Sequence, residues 1–208
     1  MHKISKSEIQ CSYRNRALLG ESPVWSENEN CLYWVDIEGR TFNKFDPLTS
    51  KNIATKTQTR ISALALRETG GFIVATESGF QFYNLHENRL TQIGDPEDNK
   101  PNNRFNDGRC DRAGRFWAGT MVEKGNQKPN AALYCIDNSL KYRKKHQNII
   151  LANGLAWSPD NQTLYFADTR HPAVWAFDFD LDSGSISNKR IFIEFGINDG
   201  VPDGATVD

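Results

Sequence analysis

Five polar residues recur at one phase of this sequence. Glu21, Ser62, Asn106, Asn153 and Asp203 each stand five positions before the residue that opens a polar turn (Ser26, Arg67, Asp111, Ser158 and Asp208). They recur at intervals of roughly 40–50 residues. Four of the five are good oxygen ligands. Brought to one point, Glu21, Asn106, Asn153 and Asp203 would form a hard-cation site with about two negative charges. Carboxylates and amide carbonyls suit Ca²⁺, Mg²⁺ or Mn²⁺. Zn²⁺ would tolerate the carboxylates, although no His or Cys is placed to favour it. Taken singly, the Asn-Gly at 153–154, the Asn-Asp-Gly at 106–108 and the Pro-Asp-Gly at 202–204 read more readily as turns. As a set at one repeat position they read as ligands.

Other chemistries find less support. His2 lies in the N-terminal tail, and His86, His146 and His171 all miss the shared phase, so a Ser-His-Asp or Cys-His nucleophile is not indicated. The motifs GxSxG, GxxxxGK[ST] and GxGxxG do not occur. Lys and Arg total 25 against 26 Asp and Glu, a formal net charge of -1, which argues against a nucleic-acid partner held through phosphates. The basic run at 141–147 reads as a solvated outer edge that discourages edge-to-edge pairing. No apolar run is long enough to span a membrane, and the first twenty residues lack the apolar segment of a secretory signal. The expected location is therefore the cytoplasm. Cys11, Cys31, Cys110 and Cys135 have no metal-ligand spacing and are expected to be reduced and mostly buried.

The elements that must carry the polar set are strands. The 12 Phe, 6 Tyr and 5 Trp fall largely in short alternating segments bounded by Gly, Asn, Asp and Pro. Examples are 31–37, 71–77, 114–120 and 163–169; no convincing 3.6-residue period appears. Four segments, opening at Glu21, Ser62, Asn106 and Asn153, share one layout: an apolar strand, a polar turn, an aromatic strand ending in a small residue or an acid, then further strands. A fifth opens at Asp203. The spacing is that of a four-stranded propeller blade. The expected fold is all-β, one β-propeller domain over residues 1–208. It would hold about four blades of a six-bladed ring plus the first strand of a fifth. A complete ring would need roughly 270–300 residues. The chain is thus expected to be incomplete at its C-terminus and poorly stable alone. A strand at IQCSY (9–13) would pair with the absent last blade. In a propeller the first strands line the axis, so equivalent residues of successive blades converge there.

The segments GESPVW (20–25), LYWVDI (32–37), RFNDGRCDRAGRFWAGTM (104–121), NGLAWSPDNQTLYFADT (153–169) and VPDGATVD (201–208) together resemble the family of regucalcin, gluconolactonases and the luciferin-regenerating enzyme. The resemblance spans essentially the whole chain. It implies a six-bladed propeller with one divalent metal on its axis, Ca²⁺ first and Zn²⁺, Mn²⁺ or Mg²⁺ as alternatives. It implies Glu21, Asn153 and Asp203 as metal ligands, Asp203 also as the base, and Arg104 and Asn106 as substrate-binding residues. The implied activity is hydrolysis of a sugar lactone; a non-enzymatic calcium-binding propeller of the regucalcin type is the alternative, and a protein-binding scaffold a third reading. One departure stands out. Where family members often carry a Glu that contacts sugar hydroxyls, this register places Lys124, with Glu123 one step before it and expected to face away. A Lys there would favour a substrate with a carboxylate or phosphate, or would simply reach solvent; Glu123 and Lys124 stand as further candidate substrate-binding residues.

Overall fold

The computed structural model describes residues 10–207 except 126, 127 and 197. All regular structure among them is strand: sixteen strands in four antiparallel sheets, each a simple meander. The first sheet comprises β1 (Gly20–Ser26), β2 (Cys31–Asp36), β3 (Thr41–Asp46) and β4 (Lys51–Lys56). The second comprises β5 (Ile61–Leu66), β6 (Phe72–Thr76), β7 (Gly79–Asn84) and β8 (Arg89–Gly94). The third comprises β9 (Asn103–Cys110), β10 (Phe116–Val122), β11 (Ala131–Ile136) and β12 (Tyr142–Ile149). The fourth comprises β13 (Ala152–Trp157), β14 (Thr163–Asp168), β15 (Ala173–Asp180) and β16 (Ser185–Glu194). The first strands pack in series, β1 on β5, β5 on β9 and β9 on β13. Burial falls from inside to outside. Every residue of β13 is buried, whereas β16 is almost wholly exposed. The basic run at 141–147 lies on β12, the outer edge of its sheet.

Each pair of adjacent sheets shares an apolar layer, because aromatic and branched residues alternate along the strands. Phe42, Phe72 and Tyr83 meet between the first and second sheets. Phe80, Phe105 and Phe116 meet between the second and third, and Trp117, Trp157 and Phe179 between the third and fourth. Burying one such ring contributes about 2–3 kcal/mol.

Acids at the ends of the second strands hold the sheets in sequence. Asp36 accepts the backbone N–H of Leu18 and Leu19 at 3.0 and 2.9 Å, and Asp168 accepts those of Ile150 and Leu151 at 2.9 and 3.0 Å. Each carboxylate thereby fixes the segment that enters its own sheet. In the second sheet Glu77 serves this purpose, accepting Arg60 N–H at 3.1 Å and the Thr59 hydroxyl at 2.7 Å.

All four first strands carry a one-residue bulge at the same place. The register passes from Glu21–Val35 to Val24–Tyr33 in β1 and from Ile61–Thr76 to Ala63–Ala75 in β5. It passes from Phe105–Thr120 to Gly108–Ala118 in β9 and from Asn153–Ala167 to Ala156–Tyr165 in β13. An extra residue breaks strict alternation, so consecutive side chains there can turn toward one side.

Three expectations need correction. Val201–Val207 contain no strand, and Asp208 lies outside the described residues. Of the strand expected at 9–13, residue 9 lies outside them and 10–13 are not strand. A strand exists only through hydrogen bonds to a neighbour, and none of the described strands pairs with either segment. The cysteines are unpaired, but only Cys31 and Cys135 are buried; Cys110 is half-buried and Cys11 exposed. Cys11 precedes the first strand, where no sheet covers it.

Candidate functional site

Glu21, Ser62, Asn106 and Asn153 all lie on the packed first strands, beside the bulges. Ser62 is committed to structure: it is buried and its hydroxyl donates to the Phe105 carbonyl at 2.7 Å, tying β5 to β9. Asn106 and Asn153 meet directly. The Asn106 amide donates to Asn153 Oδ1 at 3.0 Å and to the Ala152 carbonyl at 3.0 Å. Asn153 donates in turn to the Thr169 hydroxyl at 2.7 Å, which donates to the Pro202 carbonyl at 2.8 Å. This relay hangs the irregular segment bearing Asp203 beside β13. Gly154 permits the approach: its φ is +62°, and a Cβ there would lie 3.1 Å from the Asp203 carbonyl oxygen.

Carboxylates crowd the same end of the first strands. The carboxyl of Glu21 is pushed up, first by burial and then by the charges of Asp203 and Asp107, with Arg104 acting in the opposite sense. Asp107 is itself raised by burial, although Gly108 N–H (2.8 Å) and Leu155 N–H (3.4 Å) hydrogen-bond to it. Sequence reasoning missed Asp107. Its place in the Asn-Asp-Gly triplet was visible, but alternation would have turned it away from Asn106, and the bulge was not foreseen. A cleft of about 710 Å³ opens between the first strands, lined by Glu21, Asp107, Trp25, Leu66 and Cys110 among others.

The donor types suit a hard dication: carboxylate oxygens and an amide carbonyl, with Glu21 raised first by burial and then by the charges of Asp203 and Asp107. Asn153 Oδ1 accepts one hydrogen bond from Asn106, which leaves a lone pair for a ligand. Among the described residues, no three Asp, Glu, His or Cys side chains stand close enough together to enclose an ion.

A second wall, beside Asn106, is built of paired charges. Arg104 is buried on β9. It donates from Nε to Glu123 Oε1 at 2.8 Å, and from Nη1 to the Phe105 carbonyl at 2.8 Å and Asn106 Oδ1 at 3.3 Å. Glu123 therefore faces the site, contrary to expectation. It stands one residue past the end of β10, where strand alternation no longer governs direction. Lys124 is exposed, and its backbone N–H bonds to the Asn102 carbonyl at 3.3 Å. Arg60, which sequence reasoning also missed, completes the wall. It bonds Glu123 Oε1 from Nη1 at 2.6 Å and Oε2 from Nη2 at 3.0 Å. The two guanidiniums hold the Glu123 carboxyl down to about 2, Arg60 contributing most.

The architecture and this site define the class. A family model described as the SMP-30/gluconolactonase/LRE-like region matches residues 19–208, and the chain belongs to that family. It is 36% identical to regucalcin of Gallus gallus over 99% of this chain and 70% of that protein. It is also 36% identical to the Bacillus subtilis protein named "Putative sugar lactone lactonase YvrE", over 93% of this chain and 66% of that one. Among solved structures, a calcium-binding protein, regucalcin, from Agrobacterium tumefaciens superimposes with a TM-score of 0.87 at 26% identity, covering 93% of this chain and 65% of that one. The four sheets are thus arranged as blades of a regucalcin-type β-propeller. The chain spans from about two thirds to 70% of the length of these relatives.

Proposed function

We propose that this chain carries the site of a metal-dependent sugar-lactone hydrolase of the gluconolactonase type, which opens an aldonolactone to the aldonic acid. The observation that carries this reading is a set of contacts among the first strands: the charges of Asp203 and Asp107 act on Glu21, Asn106 bonds Asn153, and a buried arginine, Arg104, bonds Asn106. Kinship with a protein named for sugar lactones supports it.

In this reading Glu21, Asn153 and Asp203 hold the ion. A divalent cation bound there supplies Lewis-acid polarisation of the lactone carbonyl and charge to offset the developing oxyanion. Asp203 takes a proton from the attacking water. Arg104 and Asn106 orient the ring and its hydroxyls, holding the carbonyl carbon in line with that water. The water oxygen joins the carbonyl carbon, the ring C–O bond breaks, and the leaving oxygen takes up a proton to give the hydroxy acid. The whole domain in this reading is a six-bladed ring, as the family resemblance implies.

The test is acid release from D-glucono-1,5-lactone by the metal-stripped full chain, with Ca²⁺, Mn²⁺, Zn²⁺ or nothing added back. Saturable hydrolysis restored by one metal, well above the spontaneous rate, is the expected outcome. A second reading is a calcium-binding protein without hydrolytic activity. Asp107 adds a further negative charge acting on Glu21, which favours a bound cation whether or not hydrolysis follows. Tight Ca²⁺ binding with no turnover across a lactone panel would establish that alternative.

A further inference from the structure

The wall of paired charges around Glu123 has a feature that the lactonase reading does not require. Arg60 sits immediately before β5, and its backbone and Nε are both clamped by Glu77, at 3.1 and 2.8 Å. Its Nη1 also reaches Glu38 at 3.1 Å. Glu77 follows β6 of the second sheet, Glu38 follows β2 of the first, and Glu123 follows β10 of the third. The guanidinium is thus fixed from three sheets, with its side chain only 15% exposed.

The consequence falls on Glu123. A carboxylate offers about four lone-pair positions. Oε1 receives Arg60 Nη1 and Arg104 Nε, and Oε2 receives Arg60 Nη2. Among the described residues, one acceptor position on Oε2 is left. Without Arg60, Glu123 would keep only its bond to Arg104 and would present three. A carboxylate with both oxygens open accepts a vicinal diol through two hydrogen bonds; one with a single open position accepts one hydroxyl.

We propose that Arg60 is a specificity-determining residue of this rim. By occupying Glu123 it restricts that wall to one hydroxyl, so the site does not select for a vicinal diol there. The proposal rests on the lactonase reading for its substrates, but its core is the acceptor capacity of Glu123.

The test is a ratio. The full chain, metal-loaded, is assayed on D-erythronolactone, which bears a 2,3-diol, and on α-hydroxy-γ-butyrolactone, which bears one hydroxyl. The kcat/KM ratio of diol to mono-alcohol is expected to lie within about threefold of unity in the native chain. In Arg60→Met it is expected to rise about tenfold or more, chiefly through KM, the scale of one hydrogen bond to a charged group. Arg60→Lys, which can hold only one oxygen at a time, should give an intermediate ratio. That variant decides the matter if Arg60→Met does not fold. An unchanged ratio in the variants, or a native chain that already favours the diol by more than about tenfold, overturns the proposal. A merely structural role would lower both substrates alike and leave the ratio where it was. If neither lactone is hydrolysed, the lactonase reading fails and binding decides the proposal. Affinities of the same two lactones are then measured by ligand-observed NMR, with the same shift in ratio expected on Arg60→Met. Equal affinities in native and variant chains count against it.

Discussion

Glu21 and Glu123 carry the same side chain and both feel Arg104, yet their carboxyls are driven in opposite directions. Glu21 is raised, because burial and the charges of Asp203 and Asp107 outweigh the opposing charge of Arg104. Glu123 is held at about 2, because Arg60 and Arg104 bond to it directly and outweigh its burial. Hydrogen-bonded cations win over desolvation, and desolvation with like charges wins over a cation that makes no bond. The difference separates two jobs. A wall of unpaired carboxylates is short of positive charge and suits a cation. A wall whose carboxylate is already neutralised is rigid and suits the positioning of an uncharged ligand.

The largest effect is expected from the unpaired wall. Asp203→Ala removes a proposed ligand and the proposed base together, so metal-restored lactone hydrolysis should fall by about a thousandfold or more. Near-normal turnover would falsify that assignment. The paired wall should be less sensitive. Arg104→Met breaks the contacts to Glu123 and Asn106 while keeping the bulk of the side chain. A loss of about a hundredfold in kcat/KM is expected, the cost of misplacing bound substrate. A loss as large as that of Asp203→Ala would mean that the two walls are not functionally distinct.

The smallest effect sharpens the comparison most. Glu123→Gln keeps the shape and removes the charge between two arginines. It should lower the Tm at pH 7 by about 2–4 °C, as expected for a loss of about 1 kcal/mol in a chain of this size. The pH dependence has a definite sign. The folded-state value of Glu123 lies below its ordinary 4.5, so its contribution is full above about 4.5 and is lost as the pH falls toward about 2. The variant lacks that contribution throughout. Its Tm deficit, followed by circular dichroism, should therefore shrink between pH 4.5 and the lowest pH at which both chains fold. A deficit constant with pH would show that Glu123 contributes through packing alone.

Much of this molecule is written in local pattern. The alternating aromatic segments mark the strands, and Asp36 in LYWVDI and Asp168 in TLYFADT pin the segments that enter their sheets. The repeat phase brought Glu21, Asn106 and Asn153 to notice, and all three lie on the first strands. Strand formation and turn chemistry depend on neighbours a few residues away, so a sequence displays them openly. Whether a segment pairs, however, depends on a partner strand. For that reason the strands expected around 9–13 and from Asp203 onward did not appear.

What only the tertiary structure decided is the direction of side chains and the identity of charge partners. The bulge in β9 sets Asp107 to act electrostatically on Glu21. Glu123, freed from alternation at the end of β10, turns to Arg104 rather than away, and Lys124 points to solvent. Arg60 finds Glu123 in another sheet, far along the chain. Such pairings follow from how separate sheets stack, a long-range outcome of packing that no local period encodes.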